Sequence, residues 1–151
     1  MFIKVVELTE TMYSDQTRKF TYLSRKGMGY IMIAYRTDEN YNFSDPILNI
    51  TESQMLKTYE KIIMLMKTAV LGTKNNVLDN EISKEYKAAI KENGATHELV
   101  PLGEHWRNLP DKAIQTFKNH FVWVLAGLHE SFPMYLWCRL PPQADMQLNL
   151  Q

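Results

Sequence analysis

The sequence predicts a single α/β domain, a mixed five-stranded sheet flanked by helices. Three observations predict it. Three strand-like segments follow one another with only turns between them, as in a meander. From residue 51 onward, strand-like and helix-like segments alternate, which argues for a partly parallel sheet with helices on its faces. The chain of 151 residues is also the right length for one continuous core.

Residues 1 to 10 have a weak pattern that leaves a strand and an irregular lead-in both open. Thr11 to Thr17 reads as the first strand, ending near Asp15, with Arg18 and Lys19 in a polar turn after it. Arg25-Lys26-Gly27-Met28-Gly29 is a second turn, because glycine accepts backbone angles that other residues avoid. Tyr30 to Tyr35 is an unbroken apolar run, the mark of a strand buried on both faces. Thr37-Asp38-Glu39-Asn40 turns the chain into a hairpin partner from Tyr41 to Leu48. Pro46 cannot donate a ladder hydrogen bond, so this strand belongs at an edge or ends early.

Thr51-Glu52-Ser53-Gln54 has the form of a capping box. Met55, Tyr59, Ile62, Ile63, Met66 and Val70 then recur at helical spacing up to Gly72, the expected stop. Asn76 to Asp79 is the next short strand. Ser83 caps a helix striped by Tyr86, Ala89 and Ile90 and stopped by Gly94, and Thr96 to Val100 is the fifth strand. Pro101 to Arg107 is a loop. Asn108 caps a helix with Pro110 in its first turn, where a missing amide hydrogen costs little. Its apolar face is Ile114, Phe117, Phe121, Val124, Leu125 and Leu128. Pro133 opens a last helix through Leu140, which Pro141-Pro142 interrupts. Gln143 to Gln151 is amphipathic and carries no stop signal, as though cut from a longer polyprotein. This order of elements matches a ribonuclease H-like fold.

Composition bounds function without choosing it. The hydrophobic share of 45% and charged share of 23% are ordinary for a soluble globular domain. The 17 basic residues balance the 17 acidic ones, so any surface for nucleic acid must be a local patch. The single cysteine, Cys138, allows no internal disulfide and suits a reducing compartment, nuclear or cytoplasmic; lying among Leu136, Trp137 and Leu140, it reads as a buried thiol. The four histidines are not spaced with Cys138 as a zinc site requires. Six scattered glycines form neither a phosphate loop nor a dinucleotide fingerprint. No apolar run is long enough for a membrane span or a signal peptide. The three tryptophans (Trp106, Trp123 and Trp137) and the nine methionines read mostly as core or gap-filling residues.

The chemistry lies in three acids: Asp15 at the end of the first strand, Asp79 at the end of the fourth, and Asp111 in the first turn of the helix after Asn108. Parallel neighbouring strands would bring the first two together, and the helix packing back on the sheet would bring the third. Such a set could bind two Mg²⁺ ions, which prefer oxygen ligands and act on phosphodiesters. Each acid also has a plainer reading, as a turn or strand-end residue or as a first-turn acid favoured by the helix dipole. Gln115 and Lys118 share a helix face with Asp111, and Arg107 and Lys112 flank the helix start, a row suited to DNA phosphates. Arg18, Lys19, Arg25 and Lys26 offer a second basic patch.

Tyr13-Ser14-Asp15-Gln16-Thr17, then Asn76 to Glu81, then Asn108 to Phe121 resemble the integrase catalytic core of long-terminal-repeat retrotransposons. Leu136-Trp137-Cys138-Arg139-Leu140 looks like the closing segment of such a core. The resemblance covers the chain from about Tyr13 onward. It implies a ribonuclease H-like fold, an acidic triad, Mg²⁺ or Mn²⁺, processing of DNA 3′ ends and their transfer into a target duplex, and pairing of cores into a homodimer. It carries the first two triad positions to Asp15 and Asp79. The third holds Asp111 where the family has glutamate, and Arg18 replaces a glycine common in related sequences. The flanking zinc-binding and DNA-binding modules of full integrases are absent from these residues. The alternative is a decayed or repurposed core that binds DNA or a protein without chemistry.

Overall fold

The computed structural model describes residues 10–69, 71–78, 83–99 and 108–151, with residues 108–111 described by their backbone alone. Its sheet has five strands: β1 (Thr11–Gln16), β2 (Tyr30–Arg36), β3 (Tyr41–Ile47), β4 (Asn75–Leu78) and β5 (Thr96–Leu99). They lie in the order β3-β2-β1-β4-β5. The first three form the antiparallel meander, while β4 runs parallel to β1 and β5 parallel to β4. The helices are α1 (Glu52–Thr68), α2 (Lys84–Glu92), α3 (Asn108–Ala126) and α4 (Pro141–Asn149), with a 3-10 turn at Met134–Arg139. The α/β layout with a mixed five-stranded sheet is the one the sequence predicts.

Alternation along the central strands sends side chains into two cores. Met12, Met32, Ala34 and Leu78 pack on one face against Tyr59, Ile62 and Ile63 of α1 and Tyr86 and Ile90 of α2. Tyr13, Ile31, Ile33, Tyr35 and Val77 pack on the other against Ile114, Phe117 and Phe121 of α3, Trp137 and Ala144. This two-sided burial is why β2 reads as a continuous apolar run. The hairpin turn before β3 places Asn40 at φ 49, a left-handed conformation that asparagine tolerates, and the Tyr35 hydroxyl donates to the Asn40 side chain at 2.9 Å.

Several local expectations are corrected. Thr51 does not form a capping box, because its hydroxyl is engaged by Asn49 Oδ1 at 2.5 Å. Helix α1 stops at Thr68 with Ala69 as its cap, short of Gly72. The Gly72 carbonyl instead accepts from Arg36, a buried guanidinium that also forms a two-pronged pair with Glu39 at 2.6 and 2.8 Å. Pro141 starts a helix rather than interrupting one, since an N1 proline lacks only an amide that would be unpaired anyway. Trp123 is 75% exposed, two residues past buried Phe121 and so on the opposite side of α3; Met64 is exposed as well. Cys138 is partly buried against the α3-side core. Ser83 caps α2 as expected, accepting from Tyr86 N at 3.1 Å, and Gly94 follows the helix at φ 74. The lead-in over residues 1–9, Val70, and the loop from Pro101 to Arg107 lie outside the described residues.

The proline-bearing strand β3 is an edge strand, and α4 covers it. Asn149 accepts from Asn42 N at 2.8 Å and donates to the Asn42 carbonyl at 2.9 Å. Asp145 accepts from the Ser44 amide at 2.9 Å and the Ser44 hydroxyl at 2.7 Å. Side chains thus take the place of a sixth strand and close an edge open to foreign pairing. Burial pushes the Asp145 carboxyl up to about 7, against the opposing effect of the Ser44 bonds. The folded chain therefore holds a proton that the unfolded chain releases nearer 3.8, and stability falls as pH rises across that window. Asp145→Asn keeps an acceptor for Ser44 without the charge. It is expected to flatten the fall and to stabilise the chain by about 1–3 kcal/mol at pH 8, read from denaturation midpoints across pH.

Candidate active site

Asp15 stands near the end of β1, opposite Ile33 in the register and therefore on the α3 side of the sheet. The strand end is held firmly: Thr17 N donates to the Ile31 carbonyl at 2.9 Å, and Ile31 N to the Thr17 hydroxyl at 2.9 Å. The carboxylate is about a quarter exposed, with Oδ1 accepting from Gln16 N at 2.8 Å and Oδ2 from Lys118 Nζ at 2.6 Å.

Strand β4 runs beside β1 in parallel, with Tyr13 opposite Val77 and Ser14 opposite Leu78. Both strands therefore end on the same edge of the sheet, the carboxyl edge where open α/β sheets bind ligands. Asp79 is the next residue after Leu78 in the sequence and lies outside the described residues. Helix α3 crosses this end. Burial of Ile114, Phe117 and Phe121 fixes its rotation, and Lys118, next to Phe117, reaches Asp15 from the rim of that buried face. Position 111 lies two helical turns before Lys118, on the same face of α3. Its side chain is outside the described residues.

The basic row divides. Lys112 and Gln115 are exposed, and Gln115 Nε2 donates to Asn119 Oδ1 at 3.0 Å. Lys118 is turned inward onto Asp15, a partner that sequence spacing alone did not show. Arg107 falls outside the described residues. Arg18 and Lys19 are exposed, and together with Thr17, Lys118, Phe121 and Val122 they line a groove of about 270 Å³. The Arg25 and Lys26 pair is exposed beyond it.

Among the described residues no three histidine, cysteine or acidic side chains gather as a metal site. Asp15 is the one candidate ligand whose side chain is described. Its chemistry fits a hard divalent cation: it is a partly exposed carboxylate, and its Oδ2 already holds a positive charge at 2.6 Å. No described helix is long and apolar enough to cross a membrane.

No family model matches the chain, and no curated protein matches it in sequence. Solved structures do match in shape. A chain of the simian T-cell lymphotropic virus intasome, solved by cryo-EM with PP2A regulatory subunit B56 gamma, superposes with a TM-score of 0.67 at 14% identity. That match covers 87% of this chain and 46% of the intasome chain, so the present chain spans about half the length of its neighbour. The catalytic core domain of BIV integrase superposes with a TM-score of 0.58 at 14% identity, over 87% of this chain and 80% of that one. The chain has the fold of a retroviral integrase catalytic core. That fold is ribonuclease H-like, as the order of elements predicts, and the integrase core suggested by the short motifs is its structural neighbour.

Proposed function

We propose that this chain is a single integrase-core domain of a retrotransposon-type element, acting as a metal-dependent polynucleotidyl transferase on DNA ends. One observation carries the reading. The parallel pairing of β1 with β4 ends at Ser14 opposite Leu78, immediately before Asp15 in one strand and, in sequence, Asp79 after the other. With α3 brought onto the same edge through the Lys118–Asp15 contact, Asp15, Asp79 and Asp111 are the residues that would hold Mg²⁺ or Mn²⁺. When bound, the metal would supply charge stabilisation for the attacking hydroxyl and the leaving oxygen of a phosphodiester. The chain's own contribution is positional. The Thr17–Ile31 bonds fix the strand end that carries Asp15, and exposed Lys112, Gln115, Arg18 and Lys19, with Arg107 next before α3 in sequence, would meet DNA phosphates. Partners in this reading are the element's own DNA ends, a target duplex and a second copy of the chain, in the nucleus or cytoplasm.

The test is a labelled-duplex assay in Mn²⁺, scoring end trimming and joining to a target, beside hydrolysis of an RNA–DNA hybrid. Trimming and joining support the proposal. Hybrid cleavage alone would make the chain a ribonuclease instead, and duplex binding with no chemistry would make it a non-catalytic core. The third acid offers a further expectation. Asp111 is one methylene shorter than the glutamate of the resembling family, and a misplacement near 1 Å costs about 10²-fold in rate. Asp111→Glu is therefore expected to raise the joining rate by about tenfold or more, measured as single-turnover product formation.

A further inference from the structure

Four ion pairs among the described residues are defined by distance. Arg36 with Glu39 and Lys74 with Glu10 lie toward the opposite end of β1, and Lys61 of α1 with Asp45 of β3 lies on the α1 face of the sheet, away from Asp15. The fourth, Lys118 with Asp15, joins a candidate metal ligand to a helix of the same site. Resting on the reading of Asp15 as a ligand, we propose that Lys118 is a built-in counter-ion that competes with the divalent cation for the Asp15 carboxylate. On displacement it swings into the adjoining groove to meet a DNA phosphate.

The geometry makes the competition direct. Oδ1 of Asp15 accepts from the Gln16 amide at 2.8 Å and Oδ2 from Lys118 Nζ at 2.6 Å, so a cation that binds Oδ2 meets the ammonium there. A divalent ion bound there would share one oxygen with an ammonium at contact distance, and like charges so placed repel strongly. The side chains of Lys118 and Asp15 are 27% and 24% exposed, so solvent and salt screen this pair less than one on the open surface. Lys118 also has somewhere to go. Its four-carbon stem is flexible, and it already lines the groove that Arg18 and Lys19 make cationic beside Phe121 and Val122. A polyanion in that groove gives the released ammonium a new partner, so cation binding and DNA binding favour each other.

The experiment is a calorimetric Mn²⁺ titration of the full chain, Lys118→Met and Lys118→Arg, with thermal melts to establish that each is folded. Lys118→Met is expected to bind Mn²⁺ about fivefold tighter than the parent, and Lys118→Arg, which keeps the charge, close to the parent. A second comparison, Asp15→Asn against Asp15→Asn with Lys118→Met, is expected to show no such gain. Binding by the parent with no gain in Lys118→Met overturns the counter-ion role while leaving the acidic site standing. Binding by Lys118→Met alone supports the role in its strongest form. Failure of every folded variant to bind overturns both the role and the reading beneath it.

Discussion

Asp15→Asn is expected to lower Mn²⁺-dependent joining of DNA ends by about 10²–10³-fold while leaving the fold intact. The substitution preserves shape and keeps an oxygen that can accept from Gln16 N, so the end of β1 has no reason to move. What it removes is the negative charge that, in the proposed site, holds a cation against the scissile phosphate. It also releases Lys118 from its partner, and a freed lysine cannot restore the lost charge. The loss should appear in single-turnover rate more than in duplex affinity, because the substitution removes no basic side chain from the groove beside the site. A variant that retained full activity would remove Asp15 from the mechanism.

Trp137→Ala is expected to destabilise the chain by about 3–5 kcal/mol, the usual cost of emptying a large aromatic site in a core. Trp137 is almost wholly buried. Its ring lies 4.4 Å from Phe20 and 6.4 Å from Phe121, and its Nε1 donates to the Tyr22 carbonyl at 2.8 Å. It therefore pins the segment after Asp15 to the helix that carries Lys118, and its loss should loosen the site as well as the fold. Trp137→Phe refills most of the volume but leaves the Tyr22 carbonyl without that donor, and should cost roughly half as much. Urea midpoints of the two variants check both figures.

The sheet was legible because its central strands are buried on both faces. Tyr30 to Tyr35 cannot be amphipathic when α1 packs on one side and α3 on the other, and the apolar run records that. Pro46 likewise marked an edge strand, and β3 is one. Helix ends were less legible, since they depend on partners remote in sequence. Asn49 captured the hydroxyl expected to cap α1, and Arg36 captured the carbonyl of the glycine expected to end it. The role of α4 was hidden for the same reason. That Asp145 and Asn149 seal β3 rests on contacts with Ser44 and Asn42, about a hundred residues away. In the site, spacing put Lys118 on the face of Asp111, but only the packing of α3 on the sheet shows that its ammonium is held by Asp15.

The central claim is an acidic site shared between two strand ends and a helix. Calorimetric titration of Mg²⁺ and Mn²⁺ into the chain and into Asp79→Asn, with a duplex DNA end present, tests it most directly. Millimolar or tighter binding that is lost in Asp79→Asn is the result the account predicts. Equal binding by the two chains, or none by the folded parent with DNA bound, would contradict it.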